Sequence, residues 1–391
     1  MKTKLTSRRA LPSVAALATI ILLAGCAPSH PAEPTPGAGA SEATAARLTE
    51  VGQAVLDSGA TAFIGSVHDE QNSTSIALGV ADRDSGAEAV ASDEFQMGST
   101  TKTVTATVAL QLVGEGVLSL DDSVERWLPE AVPNGSAITL RMLLQHTSGL
   151  FDYASDDAFG LALFADPTAE HTAQDLLTVA LKHDPTFAPG EGWAYSNTGF
   201  VVVGMMLEAA TSQSVPDLIT ERVIAPLGLE HTYWAADGKF RDSHLHGYYR
   251  SQPGGTDYVD VSSFPLSWAD AAGALISTTG DLGEFERALQ SGALLEPAEL
   301  AEMRSTVDIP DTGGQYAYGL GLMRISTPDG DVWGHTGGTL GYLTQAWSTE
   351  DGSRSLIENV ATASATPLGP DTEIDGAASA AASSLFDLLF D

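Results

Sequence analysis

The sequence predicts an α+β fold: an antiparallel sheet built from the N- and C-terminal segments, flanked by helices, with a mostly helical lobe inserted between them. Three observations point there. Short stretches rich in β-branched and apolar residues lie between Thr61 and Val80 and return from Tyr316 onward. Longer stretches of helical character fill the middle of the chain. No internal repeat is visible, so the chain does not read as a solenoid.

Taken in order, Ala46 to Ser58 has the pattern of an amphipathic first helix. Thr61–Val67 and Ser75–Val80 flank a turn-like stretch, Asp69–Asn72, and read as a hairpin. Thr100–Val113 is ambiguous, because its Thr/Val alternation also fits a strand. Its length and the terminating Gly114-Glu115-Gly116 favour a helix that begins at Ser99. Ile138–Leu144, Ala173–Lys182, Asn197–Ala210 and Val215–Ile224 read as helices of the inserted lobe. Strands are expected over Tyr318–Ile325, Asp331–His335, Leu343–Ser348 and Ser355–Val360, and a final helix over Gly376–Phe390.

Residues 1–25 read as a secretory signal peptide. Lys2, Lys4, Arg8 and Arg9 form a positive n-region, and Ala15–Leu23 an apolar stretch too short to span a bilayer. The Ser7-Arg8-Arg9 run also permits twin-arginine export. Leu23-Ala24-Gly25-Cys26 resembles a bacterial lipobox, whose cysteine is lipidated and becomes the new N-terminus. Cys26 is the one cysteine of the chain, so no intrachain disulfide forms. Residues 26–45, rich in Pro, Ala, Gly and Ser, are expected to form a flexible tether, and residues 46–391 the globular domain. The expected product is an extracytoplasmic lipoprotein anchored to the cell membrane.

Of 391 residues, 43% are hydrophobic and 18% charged, which suits a packed domain and excludes a disordered chain. Acidic residues outnumber basic ones 51 to 18, a net charge of -33 with no basic patch. Such a surface repels nucleic acid, which is excluded as a partner. His244-Leu245-His246 suggests metal ligands, but no acidic or histidine partner stands at helical spacing, so no metal site and no cofactor are expected.

Three motifs carry chemistry. If a helix starts at Ser99, Lys102 shares its face and sets an amine beside the hydroxyl. A lysine among apolar neighbours loses its proton more easily and can act as a base. Only Lys182 and Lys239 follow it in the chain, and Lys102 sits against the apolar run Val104–Val113. Tyr195-Ser196-Asn197 offers a hydroxyl that can relay a proton and an amide that can hold a carbonyl and position a lysine. His335-Thr336-Gly337-Gly338, at the end of a strand, offers polar donors beside glycines that let a substrate backbone lie along the edge. Alone, each also has a plain structural reading: a surface lysine, a turn, a strand end.

Their order and separation resemble the serine β-lactamase and DD-peptidase superfamily. The Tyr-x-Asn and His-Thr-Gly forms are similar to its class C β-lactamase and D-Ala-D-Ala carboxypeptidase branch. So are Leu110–Gly116, the Leu143-Leu144-Gln145-His146-Thr147-Ser148-Gly149-Leu150 run, Ser267–Gly273 and Tyr318–Leu322. The resemblance covers about residues 50–390 and implies the β-lactamase/transpeptidase-like fold. It implies Ser99 as nucleophile, with Lys102 and Tyr195 shuttling protons and the order between them open. The backbone N–H groups of Ser99 and Gly338 would form the oxyanion hole. Asn197 would position the acyl side chain's amide, His335 and Thr336 would line the leaving-group strand, and Trp268 and Phe151 would form cleft walls. His146 reads as structural.

Two departures bear on the substrate. Carboxypeptidases of this branch often carry an arginine, on the strand before His-Thr-Gly, that grips the terminal carboxylate. Here Met323 takes that place, and Arg324 follows one position on, which on a strand is the opposite face. Gly338 also lacks the hydroxyl some of them have there. The expected activity is a monomeric, penicillin-binding, serine-type D-Ala-D-Ala carboxypeptidase acting on peptidoglycan stem peptides. A class C-like β-lactamase or esterase is the alternative. A non-hydrolytic lipoprotein binding penicillin or cell-wall fragments is the reading from another class.

Overall fold

A computed structural model describes residues 38–166, 168–250, 258–362, 365, 366, 369, 370, 376, 380, 381 and 383–390. Cys26, the leader and most of the tether lie outside the described residues. Helix α1 spans Ala38–Asp57, so it starts earlier than Ala46. The alanines that made the stretch read as a tether are good helix formers once Leu48, Val51 and Val55 dock on the sheet. No described helix is long and apolar enough to cross a membrane.

Strands β1 (Ala62–His68), β2 (Ser73–Asp82) and β3 (Ala87–Glu88) come from the N-terminal segment. Helix α2 (Thr101–Gly114), helix α3 (Asn197–Thr211) and helix α4 (Thr279–Gln290) belong to the middle of the chain. The C-terminal segment adds β4 (Val307–Asp308), β5 (Tyr316–Tyr318), β6 (Met323–Thr327), β7 (Gly330–Thr339), β8 (Tyr342–Thr349) and β9 (Ser355–Ala361). These nine strands form one sheet in the order β3-β2-β1-β9-β8-β7-β6-β5-β4. The two ends of the chain meet at the β1–β9 pairing, Ala62 opposite Ala361, antiparallel like every other pair in the sheet. The expected α+β architecture is therefore the observed one.

One face of the sheet packs Phe63, Val67, Trp347, Leu356 and Val360 on α1. The other packs Ile64, Trp333, Ala346 and Ile357 with Val104, Val108 and Leu112 of α2 and with Leu282, Phe285 and Leu289 of α4. Helix α2 is buried on all sides from Thr101 to Leu110, the position that suits a helix without a polar face. The Thr/Val alternation resolves as a helix because its hydroxyls find carbonyls. Thr103 Oγ1 donates to Gly321, Thr105 Oγ1 to Ala271 and Thr107 Oγ1 back to Thr103, each at 2.8 Å.

Two strand expectations change. Tyr318–Ile325 is not one strand but the hairpin β5–β6, with Tyr318 opposite Met323. The chain reverses at Gly321, whose φ of +70° suits glycine, and a Cβ there would sit 2.5 Å from the Ala106 side chain of α2. Strand β7 runs on past His335 to Thr339, so His335-Thr336-Gly337-Gly338 lies inside a strand paired with Leu343–Ala346 rather than at its end. A local reading stops a strand at consecutive glycines. Pairing with β8 carries it through.

Glu358 of β9 is buried, has no hydrogen-bond partner for its carboxylate among the described residues, and its carboxyl is pushed up to about 8 by burial. Its folded value lies above the unfolded one, so the native state holds an extra proton between about pH 4.5 and 8. Stability from this group is full below that window and falls as pH rises through it. Glu358→Gln is expected to raise the melting temperature by roughly 2–6 °C at pH 8.5 and to change it little at pH 4.5. Equal shifts at both pH values count against a proton on Glu358.

Candidate active site

Ser99 sits in the 3-10 turn Gly98–Thr100 that leads into α2. That turn lies against β7: a Cβ on Gly98, at φ +55°, would come within 2.7 Å of the Gly338 backbone nitrogen and oxygen. Only glycine lets the turn that carries Ser99 come this close to the strand edge. The backbones of Gly98, next to Ser99, and Gly338 are thus held side by side.

Lys102, the second residue of α2 and one turn after Ser99, is fully buried. Its ammonium nitrogen donates to Ser99 Oγ (2.9 Å), Asn197 Oδ1 (2.7 Å) and the Ala272 carbonyl (2.9 Å). Three acceptors match the three donors of an ammonium. Burial nevertheless drives the amine down to about 7, with the Asp152 carboxylate opposing the shift. Tyr195 lies half-buried beside it, its ring centroid 4.9 Å from Lys102 Nζ. Burial pushes the phenol well above its ordinary value, against the pull of the neighbouring Ser99 hydroxyl. The amine of the pair therefore loses its proton first.

Asn197 opens α3. Its oxygen faces Lys102, and its amide nitrogen faces Asp152, at 3.2 and 3.1 Å from the two carboxylate oxygens. Asp152 also accepts from the backbone N–H of Asn197 at 3.1 Å. Both ends of the Asn197 amide thus meet a protein partner. Its observed work is to fix the lysine. Burial raises the Asp152 carboxyl.

His335, on β7, accepts at Nε2 from the Tyr318 hydroxyl (2.8 Å), while Nδ1 bonds the carbonyl of Thr336. Burial and the charge of Lys102 hold its ring neutral, down to about 3. Its ring centroid is 6.3 Å from that of Tyr195. Thr336 is half-buried next to it. His146 closes the back of the site, its ring 4.3 Å from Tyr195 and 4.5 Å from Tyr318 between centroids. Its Nδ1 accepts the backbone N–H of Ser196 at 3.2 Å and so helps to set the approach to Asn197. The half-buried Phe151 stacks on His183 at 3.9 Å, and Trp268, also half-buried, packs beside Tyr153 and Phe159.

The structure thus gathers Ser99, Lys102, Tyr195 and Asn197 into contact and runs His335 to Gly338 past them. Arg324 shares the Trp333 side of the sheet, but its guanidinium is 3.5 Å from Asp331 and 3.4 Å from the Gly314 carbonyl. Met323 packs toward α1. Two participants were not singled out in sequence. Asp152 follows Phe151 in a loop and meets Asn197 across 45 positions, a separation that carries no periodic signal. Tyr318 lies within a quoted stretch, but its partner His335 comes from another strand.

The beta-lactamase family model matches residues 39–370. Penicillin-binding protein 4* of Bacillus subtilis (strain 168) is 30% identical over 67% of this chain, which spans 59% of that protein's length. The structure of a D-stereospecific amidohydrolase from Streptomyces sp. superposes with a TM-score of 0.77 at 34% identity, covering 85% of this chain and 97% of the other. That of D-amino acid amidase from Ochrobactrum anthropi SV3 gives a TM-score of 0.72 at 25% identity, covering 81% and 91%.

Proposed function

The chain belongs to the beta-lactamase family and is a serine hydrolase, and from that premise we propose that it hydrolyses amide bonds on the carbonyl side of a D-residue whose leaving group carries no carboxylate. The observation that carries this reading is the state of the cations. Among the described residues, Lys102 is the one cation hydrogen-bonded to Ser99, and its three donors are committed. Arg324 is occupied by Asp331 and Gly314. A terminal carboxylate placed beside Gly338 would lack a charged partner, at a cost of several kcal/mol if buried. The net charge of -33 also favours cationic amino-acid amides over anionic stem peptides. Similarity to the amidohydrolase along nearly its whole length supports the same class.

In the proposed mechanism Ser99 Oγ attacks the carbonyl carbon and its proton passes to the neutral amine of Lys102. Negative charge developing on the carbonyl oxygen is met by the backbone N–H groups of Ser99 and Gly338. Tyr195, still a phenol, relays a proton to the departing amine, and a water deacylates Ser99 by the reverse route. Asp152 acts through Asn197 and on Lys102. Because its charge raises the lysine's pKa, Asp152→Asn is expected to move the acid limb of the kcat/KM profile to lower pH, with kcat down about tenfold from the loosened Asn197. An unmoved limb counts against that coupling.

The second reading is the D-Ala-D-Ala carboxypeptidase, favoured by the likeness to Penicillin-binding protein 4*. One experiment separates the two. The protein is given D-phenylalanine amide, its L-enantiomer and a D-Ala-D-Ala peptide, alongside labelled penicillin. A D-amide kcat/KM at least about tenfold above the peptide's supports the amide reading, and the reverse order supports the carboxypeptidase. Preference for the L-amide defeats both. Anchoring through Cys26 is part of the same proposal, and loss of lipid label in Cys26→Ser is its test.

A further inference from the structure

Away from the cleft, three ligand-type atoms converge on one point. They are Glu94 Oε1, His231 Nδ1 and Asp242 Oδ2, all within 4.8 Å of one another. Glu94 is completely buried, and its Oε1 has no hydrogen-bond partner among the described residues. The Nδ1 of His231 is likewise buried without one. A buried carboxylate oxygen with no donor is costly and calls for a partner.

A simple ion pair does not account for this geometry. Elsewhere in the chain histidine closes on its carboxylate: His183 lies 2.7 Å from Asp156, and His246 lies 2.7 Å from Asp260. His231 Nδ1 instead stands 3.6 Å from both Glu94 and Asp242. That is too long for a hydrogen bond. It is near the edge of a tetrahedron of metal ligands, which is about 3.3 Å when each bond is 2.0–2.1 Å.

The surroundings are those of an oriented ligand. Glu94 Oε2 accepts from the Tyr233 hydroxyl (2.6 Å), the Arg241 N–H (3.2 Å) and the Asp242 N–H (3.3 Å), which leaves Oε1 to face His231 and Asp242. Arg241 is drawn aside onto the Tyr233 ring at 3.8 Å. The His231 backbone N–H is held by Asp281 at 2.8 Å. Asp242, with a side chain 65% exposed, leaves a path from solvent.

We infer that Glu94, His231 and Asp242 form a binding site for one divalent cation of the zinc type, with a fourth position left for water. The ion would tie the start of Phe95–Gln96, the strand that leads to Ser99, to the chain around residues 231 and 242. The His244-Leu245-His246 run that drew attention in the sequence takes no part: His244 stacks on Phe240 and His246 bonds Asp260.

The test is calorimetric titration of the full-length, chelator-treated protein with zinc chloride, in a Cys26→Ser background so that no thiol competes. One equivalent is expected to bind and to raise the melting temperature by several degrees. His231→Ala and Asp242→Asn are each expected to weaken binding at least about tenfold, and His246→Ala to leave it unchanged. Asp242→Asn, at an exposed side chain, decides the matter should His231→Ala not fold. The site is overturned if no zinc binds, or if Asp242→Asn binds as tightly as the parent.

Discussion

Ser99→Ala is expected to form no covalent adduct with labelled penicillin and to lose kcat by a factor on the order of 10⁵–10⁶ against any amide or ester that the parent turns over. The size of the loss follows from what the residue does. It is the one hydroxyl that Lys102 holds at 2.9 Å while lying against the β7 edge, and an alanine there removes the nucleophile and leaves Lys102 with no hydroxyl to deprotonate. The fold is expected to be unchanged, because the alanine removes one exchangeable hydrogen bond and Lys102 keeps Asn197 and Ala272. Intact-mass measurement after penicillin treatment reads the adduct, and the thermal midpoint reads the fold. Activity within tenfold of the parent would mean that another group carries the chemistry.

Lys102→Ala is expected to lower kcat/KM by about 10³–10⁴-fold, the range for loss of a positioned base together with the order it imposes. The pH profile distinguishes this from mere disruption. In the parent, the amine must be neutral to accept the Ser99 proton. Burial sets it at about 7, so kcat/KM is expected to rise with pH up to that value and level off above it. Tyr195, held as a phenol far above neutrality, adds no limb in this window. His335 and His146, both lowered by burial, are neutral throughout it. The residual activity of Lys102→Ala is therefore expected to lose the limb near 7. Its survival in the variant would move the base to another residue.

Much of this was legible in one dimension. Ser99 and Lys102 are read together because helical spacing turns a three-residue offset into contact. The sheet-forming ends and helical middle are visible because burial on one face imposes a period. The expected leader and lipobox rest on local patterns within residues 1–26. Local signals failed where long-range pairing outweighed them. Gly337-Gly338 reads as a strand end but is held inside β7 by β8, and Tyr318–Ile325 reads as one strand but is folded back by the close approach of Gly321 to α2.

What the sequence determined alone is the set of chemical parts: a serine and lysine one turn apart, a tyrosine and asparagine, a His-Thr-Gly strand, and a family to hold them. What the tertiary structure decided is their allegiance. It gives Asn197 to Lys102 and Asp152, His335 to Tyr318, and Arg324 to Asp331. It also brings Glu94 to His231 and Asp242, across separations with no period. The physical reason is that periodicity encodes which face of an element is buried, whereas a hydrogen-bond partner is chosen by what stands opposite after the elements pack.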